Sequence, residues 1–199
     1  KFSADGERLA ALKREATVHR LLRESLGDRD DFVRVIDWNF ALAPFYLECE
    51  YSGPDLARWA EGEPGLASLD RPQRLRLFLA IADAIAAAHD AGVLHKDIKP
   101  ANVLMQPCGK GWQPRLADFG SSRLLQPERL QELGITAMGL TMTQAMGDAS
   151  ATPLYLAPEL LAGQAPTVQS DVYALGLMLY QLLVGDLRRP LAPGWEAGI

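Results

Sequence analysis

The run His95-Lys96-Asp97-Ile98-Lys99-Pro100-Ala101-Asn102 constrains this chain more than any other feature, with Asp118-Phe119-Gly120 and Ala157-Pro158-Glu159 following it in order. It sets an acid, a base and an amide on two neighbouring loops. Asp97 can orient a hydroxyl and take its proton, and Lys99 projects a fixed positive charge two residues on. Asn102 offers a neutral oxygen and Asp118 a charged one, a pair suited to a hard cation such as Mg²⁺ that keeps several waters. Phe119 is apolar enough to pack beneath the site, and Gly120 is read as the point where the backbone turns sharply. Taken singly, each residue has a plainer reading: Asp97 and Asp118 as turn residues, His95 as a core histidine. The three motifs together, in this order, favour the chemical reading.

The rest of the chain reads as a globular α+β protein. It has 199 residues, 48% of them hydrophobic, and a net charge of −5. That balance shows no basic face and argues against binding nucleic acid through its phosphates. Cys49 and Cys108 lie in different segments without metal-ligand spacing, so reduced thiols and a cytoplasmic setting are expected. There is no apolar run long enough to span a bilayer; an anchor elsewhere is left open.

Periodicity predicts a helix over 5–26, with Leu9, Leu12, Ala16, His19 and Leu22 or Leu21 on one side. Strands are predicted over 32–38 and 45–51, turning at Ala43-Pro44, with a boundary at Ser52-Gly53-Pro54. A second helix starts near Arg71, with Leu75, Phe78, Leu79, Ala82, Ile85, Ala86 and His89 inward and Gly92 as its stop. Short strands are expected at 103–105 and 115–117. A last helix over 171–184 is capped by Ser170, with Val172, Leu175, Leu179, Leu182 and Leu183 inward. The stretches 62–65 and 134–150 read as mobile.

The catalytic-type loop, the Asp-Phe-Gly triplet and the Ala-Pro-Glu triplet resemble those of eukaryotic-type (Hanks-type) serine/threonine protein kinases. The resemblance implies a bilobal kinase-like fold truncated at both ends: a partial small lobe over 1–51, of one helix and short antiparallel strands, and a mainly helical partial large lobe over 52–199. Lys99-Pro100 is the pattern of the serine/threonine branch, and the Ala- and Leu-rich style is in keeping with a bacterial source. The implied reaction is transfer of the ATP γ-phosphoryl group to a Ser or Thr hydroxyl of a protein substrate. Asp97, Lys99 and Thr152 carry the catalytic roles, and Asn102 and Asp118 hold Mg²⁺, with Mn²⁺ as an alternative. For the nucleotide, Lys1 paired with Glu15 grips the phosphates. Glu50 and Tyr51 present backbone to the base, Cys49 sets the pocket depth, Asp55 reaches the ribose, and Leu104 forms the floor. Asp55 is equally read as a helix cap.

By the same resemblance, Glu159 anchors to an arginine further along the chain and Asp171 braces the catalytic loop. Two departures stand out. Lys96 replaces the usual arginine and lacks its bidentate fork, which weakens control through a phosphate in the activation segment; Thr141 and Thr143 are nevertheless candidates for autophosphorylation. No glycine-rich phosphate loop precedes the first helix. The alternatives are a pseudokinase that signals through partners and a kinase of small molecules. Homodimerisation is left open.

Overall fold

Helix α1 (Gly6–Leu26) lies against a small antiparallel sheet in the computed structural model, which describes residues 1–4, 6–109, 111–136 and 153–192. The sheet consists of β1 (Phe2–Ser3), β2 (Val35–Asn39) and β3 (Phe45–Cys49), in the order β1-β3-β2. Leu12 and Ala16 of α1 pack on Leu47 of β3, whereas Val18, Leu21 and Leu22 enter a larger core shared with the rest of the chain. The helix also buries Arg14, Glu15, Thr17 and His19, so one of its inward faces is polar. Gly27, at φ +74°, ends it and donates to the Arg23 carbonyl.

Both predicted strands are shorter than expected. Phe32 leaves the sheet because it is recruited to the larger core, where it bridges Leu116, and buried Val33 follows it, its N–H bonded to the Leu116 carbonyl at 2.9 Å. β3 ends at Cys49, where the Glu50 N–H makes a last bond to the Arg34 carbonyl just ahead of β2.

The remaining elements are mainly helical: α2 (Leu56–Glu61), α3 (Arg71–Asp90), α4 (Glu128–Glu132), α5 (Pro158–Leu161) and α6 (Val168–Val184). Two short ribbons join them, β4 (Val93–Leu94) with β7 (Arg123–Leu124), and β5 (Val103–Cys108) with β6 (Gly111–Leu116). α3 begins in a capping box between Asp70 and Gln73, with Pro72 in the first turn. Its buried face is Leu77, Ile81, Ala84, Ile85 and Ala88, rotated from the predicted one, so Leu75, Leu79 and Ala86 are exposed instead. That buried face joins the core to which α6 and β6 also contribute.

Helix α6 starts earlier than predicted. Thr167 is its N-cap and forms a capping box with Ser170, which therefore sits inside the first turn. Val172 faces solvent, while Ala174, Leu175, Met178 and Leu182 are buried. One contiguous core thus runs from Val18 and Leu21 through Phe32 and Phe119 to Ile81, Met105 and Met178.

Candidate active site

β4 delivers the chain into the loop at His95, and a buried carboxylate fixes its course. Asp171, 3% exposed at the start of α6, accepts the N–H of His95 and the N–H of Lys96, each at 2.9 Å. His89 of α3 lies 2.9 Å from the same carboxylate through Nε2. This bracing holds Lys96 at φ +70°, a left-handed conformation that a lysine rarely adopts unsupported. His95 is a fully buried structural residue. Its Nε2 reaches the Ala117 carbonyl at 3.1 Å and its Nδ1 receives the Asp97 N–H at 3.4 Å, which selects the neutral Nε2–H tautomer. Burial keeps its pKa below the ordinary histidine value despite nearby Asp171.

Asp97 follows directly. Its Oδ2 lies 2.7 Å from Lys99 Nζ and 2.9 Å from Asn102 Nδ2, and Asn102 Nδ2 also donates to the Asp97 carbonyl at 2.7 Å. Both Asn102 bonds use the amide nitrogen, so Oδ1 is the atom it can offer a cation. The Ala117 N–H bonds the Asn102 carbonyl at 3.0 Å, which draws the loop alongside Asp118.

The second half of the site is an ion cluster. Lys1 Nζ lies 2.9 Å from both oxygens of Glu15 and 2.8 Å from Asp118 Oδ1. Burial alone would lower the Lys1 pKa, but Glu15 and Asp118 outweigh it and raise the value. Burial raises the Glu15 pKa against the pull of Lys1. Burial also pushes Asp118 upward, yet Lys1 prevails and holds it below the usual carboxylate range.

The sharp turn belongs to Asp118 itself, at φ +65° and ψ +63°, and not to Gly120 as the sequence suggests. Gly120 is needed for space, since a Cβ there would sit 3.3 Å from Asp118 Oδ1 and 3.6 Å from the Ala11 Cβ. Phe119 is fully buried, with ring centroids 4.7 Å from His95 and 5.2 Å from His19.

The chain matches the protein kinase domain over residues 3–192. The chain belongs to that family. It is 40% identical over 143 residues to the serine/threonine-protein kinase PkaA of Streptomyces coelicolor, a match covering 71% of this chain and 23% of that protein. It is 35% identical over 113 residues to the serine/threonine-protein kinase pkn2 of Myxococcus xanthus, covering 57% and 12%. It is 42% identical over 120 residues to the serine/threonine-protein kinase PknJ of Mycobacterium bovis, covering 60% and 18%. The chain therefore spans less than a third of the length of these bacterial relatives.

The family uses ATP and a divalent metal. Among the described residues no group of three or more His, Cys, Asp or Glu is arranged around a cation. The Asp118 carboxylate and Asn102 Oδ1 are oxygen donors of the kind a hard divalent cation takes.

Towards the connector, the Arg115 guanidinium pairs with Glu50 at 2.9 Å, while Tyr51 is 85% exposed. Asp55 caps α2 by accepting the Arg58 N–H at 3.0 Å, and it forms an antiparallel bridge with half-buried Leu104. The cap reading of Asp55 is thus realised, and the bridge sets the two residues assigned to ribose and base side by side. Glu159 accepts from Ser170 Oγ at 2.7 Å, a partner the sequence did not suggest. Thr152, Thr141 and Thr143 lie outside the described residues. Arg14, whose Nη1 donates to the Gly120 carbonyl at 2.5 Å, was missed, because an arginine in an amphipathic helix reads as a solvated charge. No helix among the described residues is long and apolar enough to cross a membrane.

Proposed function

We propose that the chain is the catalytic domain of an ATP-dependent serine/threonine protein kinase, with a partial small lobe over 1–51 and a partial large lobe over 52–199. The observation that carries this reading is the convergence of Asp97, Lys99 and Asn102 with the Lys1–Glu15–Asp118 cluster across loops that β4, β6 and α6 pin in place. Phosphoryl transfer asks for positioning and charge neutralisation more than covalent help.

Asp97, steadied by Asn102, orients the acceptor hydroxyl and accepts its proton as the new bond forms. Lys99, 2.7 Å from Asp97, balances the negative charge that develops beside it. Lys1, positioned by Glu15, presents a cation to the nucleotide phosphates. Asp118 and Asn102 would hold Mg²⁺, which supplies further neutralisation of phosphate charge. The backbone at Glu50 and Tyr51 receives the base, with Leu104 beneath it and Asp55 beside the ribose. A protein substrate and a cytoplasmic setting accord with this reading.

The test is transfer of label from radioactive ATP by the full-length protein with MgCl₂, beside Asp97→Ala. Label on protein Ser or Thr should fall by about 10²–10⁴-fold in the variant, the usual share of a positioned acid–base group. Nucleotide binding without transfer by the unaltered protein would instead assign a pseudokinase.

A further inference from the structure

Arg14 is a buried cation that the reaction just described does not use. It is 6% exposed on α1, immediately before Glu15, and its Nη1 donates to the Gly120 carbonyl at 2.5 Å. The same side of α1 meets the Asp118-Phe119-Gly120 turn at several points. Ala11 lies beside Gly120, Glu15 shares Lys1 with Asp118, and His19 packs edge-on against Phe119. Positions 11, 14, 15 and 19 follow the three- and four-residue spacing of one helix face. That face is therefore dedicated to a single turn of chain.

The turn needs such support. Asp118 sits in the left-handed region, which aspartate tolerates better than most residues with a Cβ but still at a cost its surroundings must offset. Four constraints act on it. Ala117 is tied to Asn102 ahead of Asp118, Lys1 holds its carboxylate, Phe119 is buried after it, and Arg14 secures the carbonyl that follows. Lys1 and Glu15 act on the side chain of Asp118. Arg14 acts on its backbone, two residues downstream.

We infer that Arg14 is a positioning residue: by clamping the Gly120 carbonyl it holds Asp118 in the conformation that offers its carboxylate to the divalent cation, and so ties metal affinity to the seating of α1. The inference rests on the proposed role of Asp118 as a metal ligand. Residues that orient a ligand in this way typically govern metal affinity by about 10–100-fold.

The experiment uses the full-length protein with Arg14→Met, which keeps the bulk and removes the donors, and Arg14→Lys, which keeps a charged donor. Two quantities are read against MgCl₂ concentration: the transfer rate, and the affinity for ADP by calorimetry. The expected result for Arg14→Met is a Mg²⁺ requirement raised about 10-fold or more in both readouts. ADP affinity without Mg²⁺ and the melting profile should change little, and Arg14→Lys should recover most of the loss. A lowered melting temperature with an unchanged Mg²⁺ requirement would overturn the inference and leave Arg14 a structural residue. If Arg14→Met fails to fold, Arg14→Gln, whose amide is too short to reach the Gly120 carbonyl, decides in its place: an unchanged Mg²⁺ requirement overturns the inference, and a raised one upholds it. If the unaltered protein transfers no label, the kinase reading fails separately, and the Mg²⁺ dependence of ADP binding still decides the role of Arg14.

Discussion

His19 makes the stability of this domain sensitive to mild acid. Its imidazole is buried on α1 against Phe119, and its Nε2 has no hydrogen-bond partner among the described residues, with Glu15 Oε1 3.9 Å away. Burial, reinforced by the positive charge of Lys1 and by His95 and only partly offset by Asp118, lowers its pKa from 6.5 to about 3. Between those two values the unfolded chain binds a proton at His19 that the folded chain refuses. Stability from this group is therefore complete above pH 6.5 and is lost as pH falls towards 3. From pH 7 to pH 5 the unfolded state gains about 2 kcal/mol from protonation, while the folded state gains almost nothing.

Urea unfolding at the two pH values, for the unaltered protein and for His19→Leu, isolates this contribution. Leucine fills the site without a titrating group, so its loss of stability between pH 7 and pH 5 should be smaller by about 2 kcal/mol. His95 and the carboxylates contribute to both proteins and cancel in the comparison. Equal losses in the two proteins would refute the argument, since they would mean that His19 accepts its proton equally well folded and unfolded.

Two further outcomes follow from the same packing. Asp171→Asn leaves one acceptor for two buried N–H groups and should destabilise the fold by about 2–4 kcal/mol, read from the urea midpoint at constant slope, with label transfer falling alongside. Gly53→Ala would place a Cβ 2.1 Å from the Met105 carbonyl at φ +88°, so the connector must move. A loss of about 1–3 kcal/mol is expected by the same assay, and a neutral result would show that the connector yields without cost.

Much of the fold was legible because short-range rules govern it. α1 and α3 announced themselves through apolar spacing, and Gly27 and Gly92 marked their ends. The errors have a common cause. Leu75 and Leu79 belong to as good a helical stripe as Leu77 and Ile81, and periodicity cannot say which stripe a partner will cover. Phe32 looks like a strand residue, but the larger core competes with the sheet for it and wins, and Val33 follows to bond Leu116. Thr167 and Ser170 are both fit caps, and the choice between them depends on where Glu159 lies.

The sequence by itself picked out the proposed reacting groups, because Asp97, Lys99 and Asn102 sit within one loop and their relation is set by a few bonds of chain. It also determined the family, since three short motifs survive in order regardless of how the intervening chain packs. Only the tertiary structure decided how those groups are held. Asp171 reaches His95 and Lys96 across 76 and 75 positions, Arg14 reaches Gly120 across 106, and Lys1 reaches Asp118 across 117. Burial then decided the ionisation of His19 and Glu15, because a pKa answers to the dielectric and charges around a group, and those exist only once the chain has closed on itself.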